Sequence, residues 1–549
     1  MNRRMVSVVM MLLLLLATLN PLASAGGRKA GRTPPAPVPL EQASGELSIA
    51  LSGGGSGGTP GTIYIGATPP NVDYSKPVLL FVHGKGGSAS TWWTETAYHG
   101  TNDMYAYAYY NGYRTAFVDL YPEESMWDNG ALLNQLIDRV KAYFGVSKVA
   151  IVAHSKGGVD ANAAAVYYGA GPKISRTITL GSPHWGTPLA DMAFSTWTWW
   201  LAALMGETTE ATYVMQTGYM EWFRSETDPR PDPVPYYTIS GYKCGPLFSA
   251  LWYGCVAISG EDDGVVPVWS ARKPGATHLK EGYWDHDEIR MGSRTWSTFA
   301  PVITTASADG PAVAGEGPLL AMAGSAPLAG QGRPQAPGNL ILRGGEVTGS
   351  ATGQGFPIES GVRSATFLFY ASSPDFTATL TGPDGSAHQV TVESQVPAGE
   401  IFGSTWVGSL TVTAPTAGAW SLQTSAADRT GYLMVASLES PLQATLDLGH
   451  GPSTPGTQRK VAVRLTGPQV QESSARAALS RSGGAPAEET ALSGERGDHR
   501  ASLAVGTEQT VRNITVTLTG KLADGSAFER TLVSSFAVVA QGQGPGWLD

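Results

Sequence analysis

The stretch Val149–Gly158, reading Val-Ala-Ile-Val-Ala-His-Ser-Lys-Gly-Gly, constrains this chain more than any other. Val149 to Ala153 is a short apolar run and reads as a strand buried on both faces. His154-Ser155-Lys156-Gly157 breaks the run, and the alanine-rich segment Val159–Tyr168 reads as a helix closed by Gly169. Strand, sharp turn and helix around Ala153-x-Ser155-x-Gly157 form the setting in which a serine is held in a strained backbone conformation with its hydroxyl raised above the sheet edge. Small residues two before and two after Ser155 let strand and helix approach closely. The N-terminus of the following helix puts partial positive charge where an oxyanion would form. Ser155 is the candidate nucleophile.

The surrounding chain alternates strand and helix. Pro77–Val82 is a buried strand running into the glycine-rich His83-Gly84-Lys85-Gly86-Gly87, whose backbone can turn its N–H groups toward a substrate carbonyl. Arg114–Leu120, Ile174–Leu180, Pro235–Ser240 and Thr277–Trp284 read as further strands, and Ala131–Phe144 as an amphipathic helix ended by Gly145. Such alternation predicts a mostly parallel sheet covered by helices on both faces.

A serine nucleophile needs a base, and a carboxylate to hold that base in the right tautomer. Only His184, His278 and His286 lie between Ser155 and the change of composition near residue 304. His184 follows its strand too soon. His278 sits at the start of its strand, away from the site, whereas His286 lies just beyond that strand, between Asp285 and Asp287. In Gly260-Glu-Asp-Asp-Gly-Val-Val-Pro267, Asp263 is placed to aim inward from a turn and Asp262 to point elsewhere. The order Ser155, Asp263, His286 is nucleophile, acid, base.

These residues resemble a known family. Val82-His83-Gly84, Ala153-His-Ser-Lys-Gly-Gly158, Gly181-Ser-Pro-His-Trp-Gly-Thr-Pro188, Asp262-Asp-Gly-Val-Val266 and the His286-Asp-Glu segment are similar to those of secreted bacterial lipases and esterases of the α/β-hydrolase fold. The Ala-His-Ser-x-Gly-Gly form is similar to that of lipases from bacilli. The resemblance covers about residues 76–300. It implies Ser155, Asp263 and His286 in the three catalytic roles and oxyanion N–H groups on Lys85 and Lys156. It implies no cofactor. Some lipases of this broad group bind Ca²⁺, but those ligands have no match here, and Asp285, Asp287 and Glu288 read as local charge; no metal is expected. Phospholipase, polyester depolymerase and amidase activities fit the same fold, and a non-catalytic surface-binding protein is the reading from another class.

Composition sets the context. The net charge of −9 argues against nucleic acid as a partner. Arg3-Arg4, the apolar run Met5–Leu19 and Ala23-Ser24-Ala25 read as a signal peptide cut after Ala25, which predicts a secreted protein. In that compartment Cys244 and Cys255, the two cysteines, are expected to pair. The expected organisation is a signal peptide over 1–25, a disordered segment over 26–46, the α/β-hydrolase domain over 47–303, an Ala/Gly/Pro-rich linker over 304–337, and two all-β sandwich domains over 338–440 and 441–541, the second Ig-like. The sandwiches are expected to contact a cell surface or polymer. Three tryptophans crowd the stretch from Phe194 to Met205, and Phe194, Trp197, Trp199 and Trp200 are expected to cap the pocket and meet a lipid–water interface.

Overall fold

Runs of apolar residues build the first sheet. In the computed structural model its strands are β1 (Val38–Pro39), β2 (Ile63–Ile65), β3 (Val78–Val82), β4 (Thr115–Val118), β5 (Val149–His154), β6 (Ile174–Leu180), β7 (Tyr236–Gly241) and β8 (Thr277–Gly282), in the order β1-β2-β4-β3-β5-β6-β7-β8. The structure describes residues 33–44, 58–195, 209–230, 234–304, 333, 338–350, 353–396, 403–484, 489–540, 542 and 544. Strands β3 to β8 pair in parallel, and β1 and β2 add an antiparallel edge. Val38 and Pro39, expected in a disordered segment, pair with Ile65 and Tyr64.

Every residue of β3, β4 and β5 is buried, as strands covered on both faces require. The covering helices are α1 (Met104–Tyr110), α2 (Met126–Phe144), α3 (Lys156–Val166), α4 (Pro188–Ala193), α5 (Thr217–Thr227), α6 (Ala250–Ala257) and α7 (Gly292–Thr304). Leu80 and Ile151 pack with Leu133, Leu136 and Ile137 of α2 on one face, and Phe81 and Val152 with Met104 of α1 and Phe299 of α7 on the other. Helix α2 starts five residues before the periodic pattern does. Ser125 caps it by accepting the Asp128 N–H at 3.2 Å, and Met126 and Trp127 of its first turn join a different apolar cluster. The pairings Val82 with Ala153 and His154 with Leu180 bring the segments leaving β3, β5 and β6 to one edge of the sheet. Ligand sites of open α/β sheets form at that carboxyl edge. Among the described residues no helix is long and apolar enough to cross a membrane.

The C-terminal half is all β. Fifteen strands form one hydrogen-bonded network around two cores. One core gathers Phe367, Phe369, Trp420 and Met434, the other Val463, Ile514, Val516 and Phe536. One long strand, Gly418–Leu438, shifts register between Ala426 and Thr430, where a bulge bends it. Arg530 lies between the cores, wholly buried against the carboxylate of Glu359, with Ser440 Oγ and the Leu442 carbonyl as further acceptors.

The two halves meet along the last strand, Ala527–Val538. A Cβ on Gly218 of α5 would stand 2.3 Å from the Phe536 Cα, so glycine alone permits this approach. The Gly218 N–H donates to Ser535 Oγ at 2.8 Å, and Ser535 donates to the buried Asp191 carboxylate at 2.5 Å, which also accepts from the Thr217 N–H at 2.9 Å. Phe194 departs from its expected place. It is buried at this junction with Leu340, Leu342 and Leu433, because the β half supplies the apolar partner that a lipid surface was expected to supply. Trp197, Trp199 and Trp200 lie outside the described residues.

Candidate active site

Ser155 stands between β5 and α3 at φ 53° and ψ −134°, a region that non-glycine residues avoid. Such a conformation costs on the order of 1–3 kcal/mol and persists only when the surroundings enforce it. They do so by close packing. A Cβ on Gly157 would fall 2.3 Å from the His83 carbonyl oxygen, and one on Gly84 would fall 2.7 Å from the Ser155 Cβ. The glycine-rich loop after β3 and the turn after β5 are thus pressed together. Lys156 is the first residue of α3, in the turn whose N–H groups have no acceptor within the helix.

His286 Nδ1 and Asp263 Oδ2 are 2.8 Å apart. The other Asp263 oxygen accepts from the N–H groups of Val265 at 3.0 Å and Val266 at 2.8 Å. With the Nδ1 proton engaged by the carboxylate, Nε2 is the basic nitrogen of the neutral ring. The backbone is tied as well: the His286 N–H donates to the Asp263 carbonyl at 2.8 Å, and His154 Nε2 lies 2.9 Å from the His286 carbonyl. Asp262 turns away, as the sequence suggested, and accepts from the Gly264 N–H at 2.7 Å. Burial and then the neighbouring Asp263 charge push its carboxyl up to about 8. His278 is hydrogen-bonded with Thr238 Oγ1 at 2.8 Å, and burial pulls it down to about 4.

One pocket collects the expected groups. Ser155, His286, Lys85, Lys156, Met215 and Leu251 line it. Cys244 and Cys255 are joined in a disulfide, and Leu251 sits within the loop it closes.

The residues flanking His286 face away from it. Asp285 accepts from the N–H groups of Asp287 at 3.1 Å and Glu288 at 2.9 Å and lies 2.8 Å from His99 Nε2. Asp287 accepts from the Tyr98 N–H at 3.1 Å. These bonds pin the loop bearing His286 to residues 98–99, which sequence reasoning missed; they lie almost two hundred positions upstream. The ligating atoms of His99, Asp285 and Glu288 all lie within 4.8 Å of one another, a spacing open to a cation. The positive charge there is already protein: Lys243 Nζ is 2.5 Å from Glu288 and 3.5 Å from Asp285, and Arg294 is 3.0 Å from Glu288.

Comparison with known proteins agrees with this architecture. Residues 74–199 match the PGAP1-like alpha/beta domain family. No curated protein matches. The crystal structure of Bacillus licheniformis lipase BlEst2 in its propeptide form is 31% identical, covers 88% of this chain and 99% of its own, and superposes with a TM-score of 0.70. The mature form of the same lipase is 42% identical over 45% of this chain and 99% of its own, with a TM-score of 0.42. An identity of 31% over 88% of the chain is kinship as well as shape, and the chain belongs to the α/β-hydrolase lipase and esterase family that includes this Bacillus lipase.

Proposed function

We propose that the chain hydrolyses carboxylic esters through an acyl-enzyme on Ser155. The observation that carries this reading is the 2.8 Å pair of His286 and Asp263, with His286 lining the same pocket as the strained Ser155. Ser155 Oγ attacks the ester carbonyl while His286 Nε2 takes its proton. Asp263 holds the Nδ1 proton and stabilises the imidazolium. The N–H groups of Lys85 and Lys156 receive the oxyanion, each worth about 3 kcal/mol of transition-state stabilisation. His286 returns the proton to the leaving alcohol, then activates the water that releases the acid. Ser155→Ala should lower kcat on p-nitrophenyl esters of graded acyl length by about a thousand-fold or more. His286→Ala should come close to it and His278→Ala should not. A Ser155→Ala enzyme keeping more than a few per cent of turnover would sink the assignment.

The same proposal extends to processing. The leader over 1–25 and the Cys244–Cys255 disulfide support export to an oxidising compartment. The Bacillus relative in propeptide form aligns over 88% of this chain, a share that must include the fifteen-stranded half. That half is therefore read as a propeptide, in place of the cell-surface or polymer contact expected of it. The mass of the exported protein is the test: a species beginning after Ala25 and ending near residue 304 supports both readings, and a full-length stable product counts against the second.

A further inference from the structure

The two oxyanion donors of the proposed mechanism come from different elements, the loop after β3 and the first turn of α3. Their spacing has to be fixed by something other than the substrate. The loop itself is a poor anchor, since three of the five residues in His83-Gly84-Lys85-Gly86-Gly87 are glycine. Its outside bonds run to the segment after β4. The Gly86 N–H donates to the Pro122 carbonyl at 3.1 Å, and His83 Nε2 accepts from the Leu120 N–H at 3.0 Å. The loop, already pressed against the Ser155 turn, is thus tied on its other side to residues 120–122, and Lys85 Nζ pairs with Glu123 at 3.0 Å just beyond.

Tyr121, at the middle of that segment, is held by a side chain of α2. Asn129 of α2 accepts the Tyr121 N–H at 3.0 Å and donates to the Tyr121 carbonyl at 2.9 Å, so its amide closes on a single backbone unit from both sides. The same Nδ2 donates to Asp160 Oδ2 at 3.1 Å, and the other Asp160 oxygen accepts from Lys156 Nζ at 2.7 Å. Asn129, Asp160 and Lys156 are 1%, 2% and 1% exposed. Three polar side chains buried between two helices are costly unless each is satisfied, and a satisfied network of this kind imposes one geometry.

We propose that Asn129 and Asp160 are positioning residues that hold the loop bearing the Lys85 N–H in register with the helix bearing the Lys156 N–H. The path runs from Lys156 through Asp160 and Asn129 to Tyr121, Pro122 and Gly86, and it gives the buried Lys156 ammonium a task apart from its own N–H. The inference rests on the proposed ester hydrolysis.

The test uses the full chain and counts active sites by burst titration, so that kcat is expressed per competent enzyme. Asn129→Ala and Asp160→Asn should each lower kcat about 10- to 100-fold, the loss expected when a donor is displaced by about an ångström. KM should stay within about two-fold. The inhibition constant of a trifluoromethyl ketone, which mimics the tetrahedral oxyanion, should rise in step with the loss in kcat/KM. A residue that merely stabilises the fold would lower the titrated fraction and leave kcat per site unchanged. Wild-type kcat per site in either variant, or a loss confined to KM, overturns the proposal; if Asn129→Ala does not fold, Asp160→Asn decides. A wild-type chain that turns over no ester, or a fully active Ser155→Ala, would instead overturn the enzymatic reading on which the inference rests.

Discussion

The two halves bury polar groups in opposite ways. In the β half, Arg530 and Glu359 are both wholly buried and close on each other, with Ser440 Oγ and the Leu442 and Glu529 carbonyls as further acceptors of the guanidinium. In the hydrolase half, buried groups are pushed from their ordinary ionisation. Burial, the largest cause in each case, holds His83 down to about 4, drives His154 and His184 well below the usual imidazole range, and lifts Asp160 to about 6. Among the described non-glycine residues with positive φ, Phe248, Ala414 and Arg496 are exposed and Ser404 is half-buried, whereas Ser155 lines a pocket. His154 and the strained Ser155 line one pocket, and displaced and strained groups gathered at a pocket mark a site rather than a scaffold.

Breaking the closed pair should give the larger effect. Arg530→Met leaves the Glu359 carboxylate buried without a counter-charge and should cost about 3–5 kcal/mol in urea unfolding. Arg530→Met with Glu359→Leu should recover most of that loss, because both charges then leave together. Turnover per folded enzyme should change little in either variant. A single variant costing under about 1 kcal/mol would erase the contrast between the halves.

Acid should strain the hydrolase half next. A histidine whose folded pKa is depressed contributes stability that is fully present above its unfolded value near 6.5 and is lost as pH falls through its folded value. For His83 that window runs from 6.5 to about 4 and is worth at most about 3 kcal/mol. His154, His184 and His278 add in the same direction; in the β half, His499 is pulled down by burial as well. Asp160 and Asp262 act oppositely. Their raised folded pKa values, about 6 and about 8, favour the protonated forms, so their contribution falls as pH rises from 3.8 toward those values. The melting temperature of the full chain followed by calorimetry should rise from pH 4 to about 6.5 and decline toward pH 8, and Asp262→Asn should flatten the decline. A profile level between pH 4 and 6.5 would show that the buried histidines do not set acid stability.

What the sequence made legible follows from how locally each feature is encoded. The turn at Ser155, the parallel strands around it and the Asp263 and His286 positions are written in contiguous residues and chain order. Asn129, His99 and Lys243 are not, because each acts on a residue that folding alone brings near. The start of α2 was missed because Met126 and Trp127 face a second cluster, outside the stripe that marks the rest of the helix. In the β half, the strand Val470–Arg481 escaped notice because its buried side chains in the second core are Ala475 and Ala477, too small to mark a pattern among polar neighbours. Phe194 was read as part of a cap meeting a lipid–water interface, because the apolar partners that bury it lie more than a hundred residues away in the chain.

The junction at Gly218 has a consequence for biosynthesis. Tyr219, Met220, Trp222 and Phe223 of α5 share a cluster with Val511, Ala537 and Val539. During translation the hydrolase half leaves the ribosome first, and domains begin to fold as they emerge. That aromatic face of α5 therefore gains Ala537 and Val539 only when nearly the last segment of the message has been read, and a chain that stops short of Ala527 lacks that part of its cover.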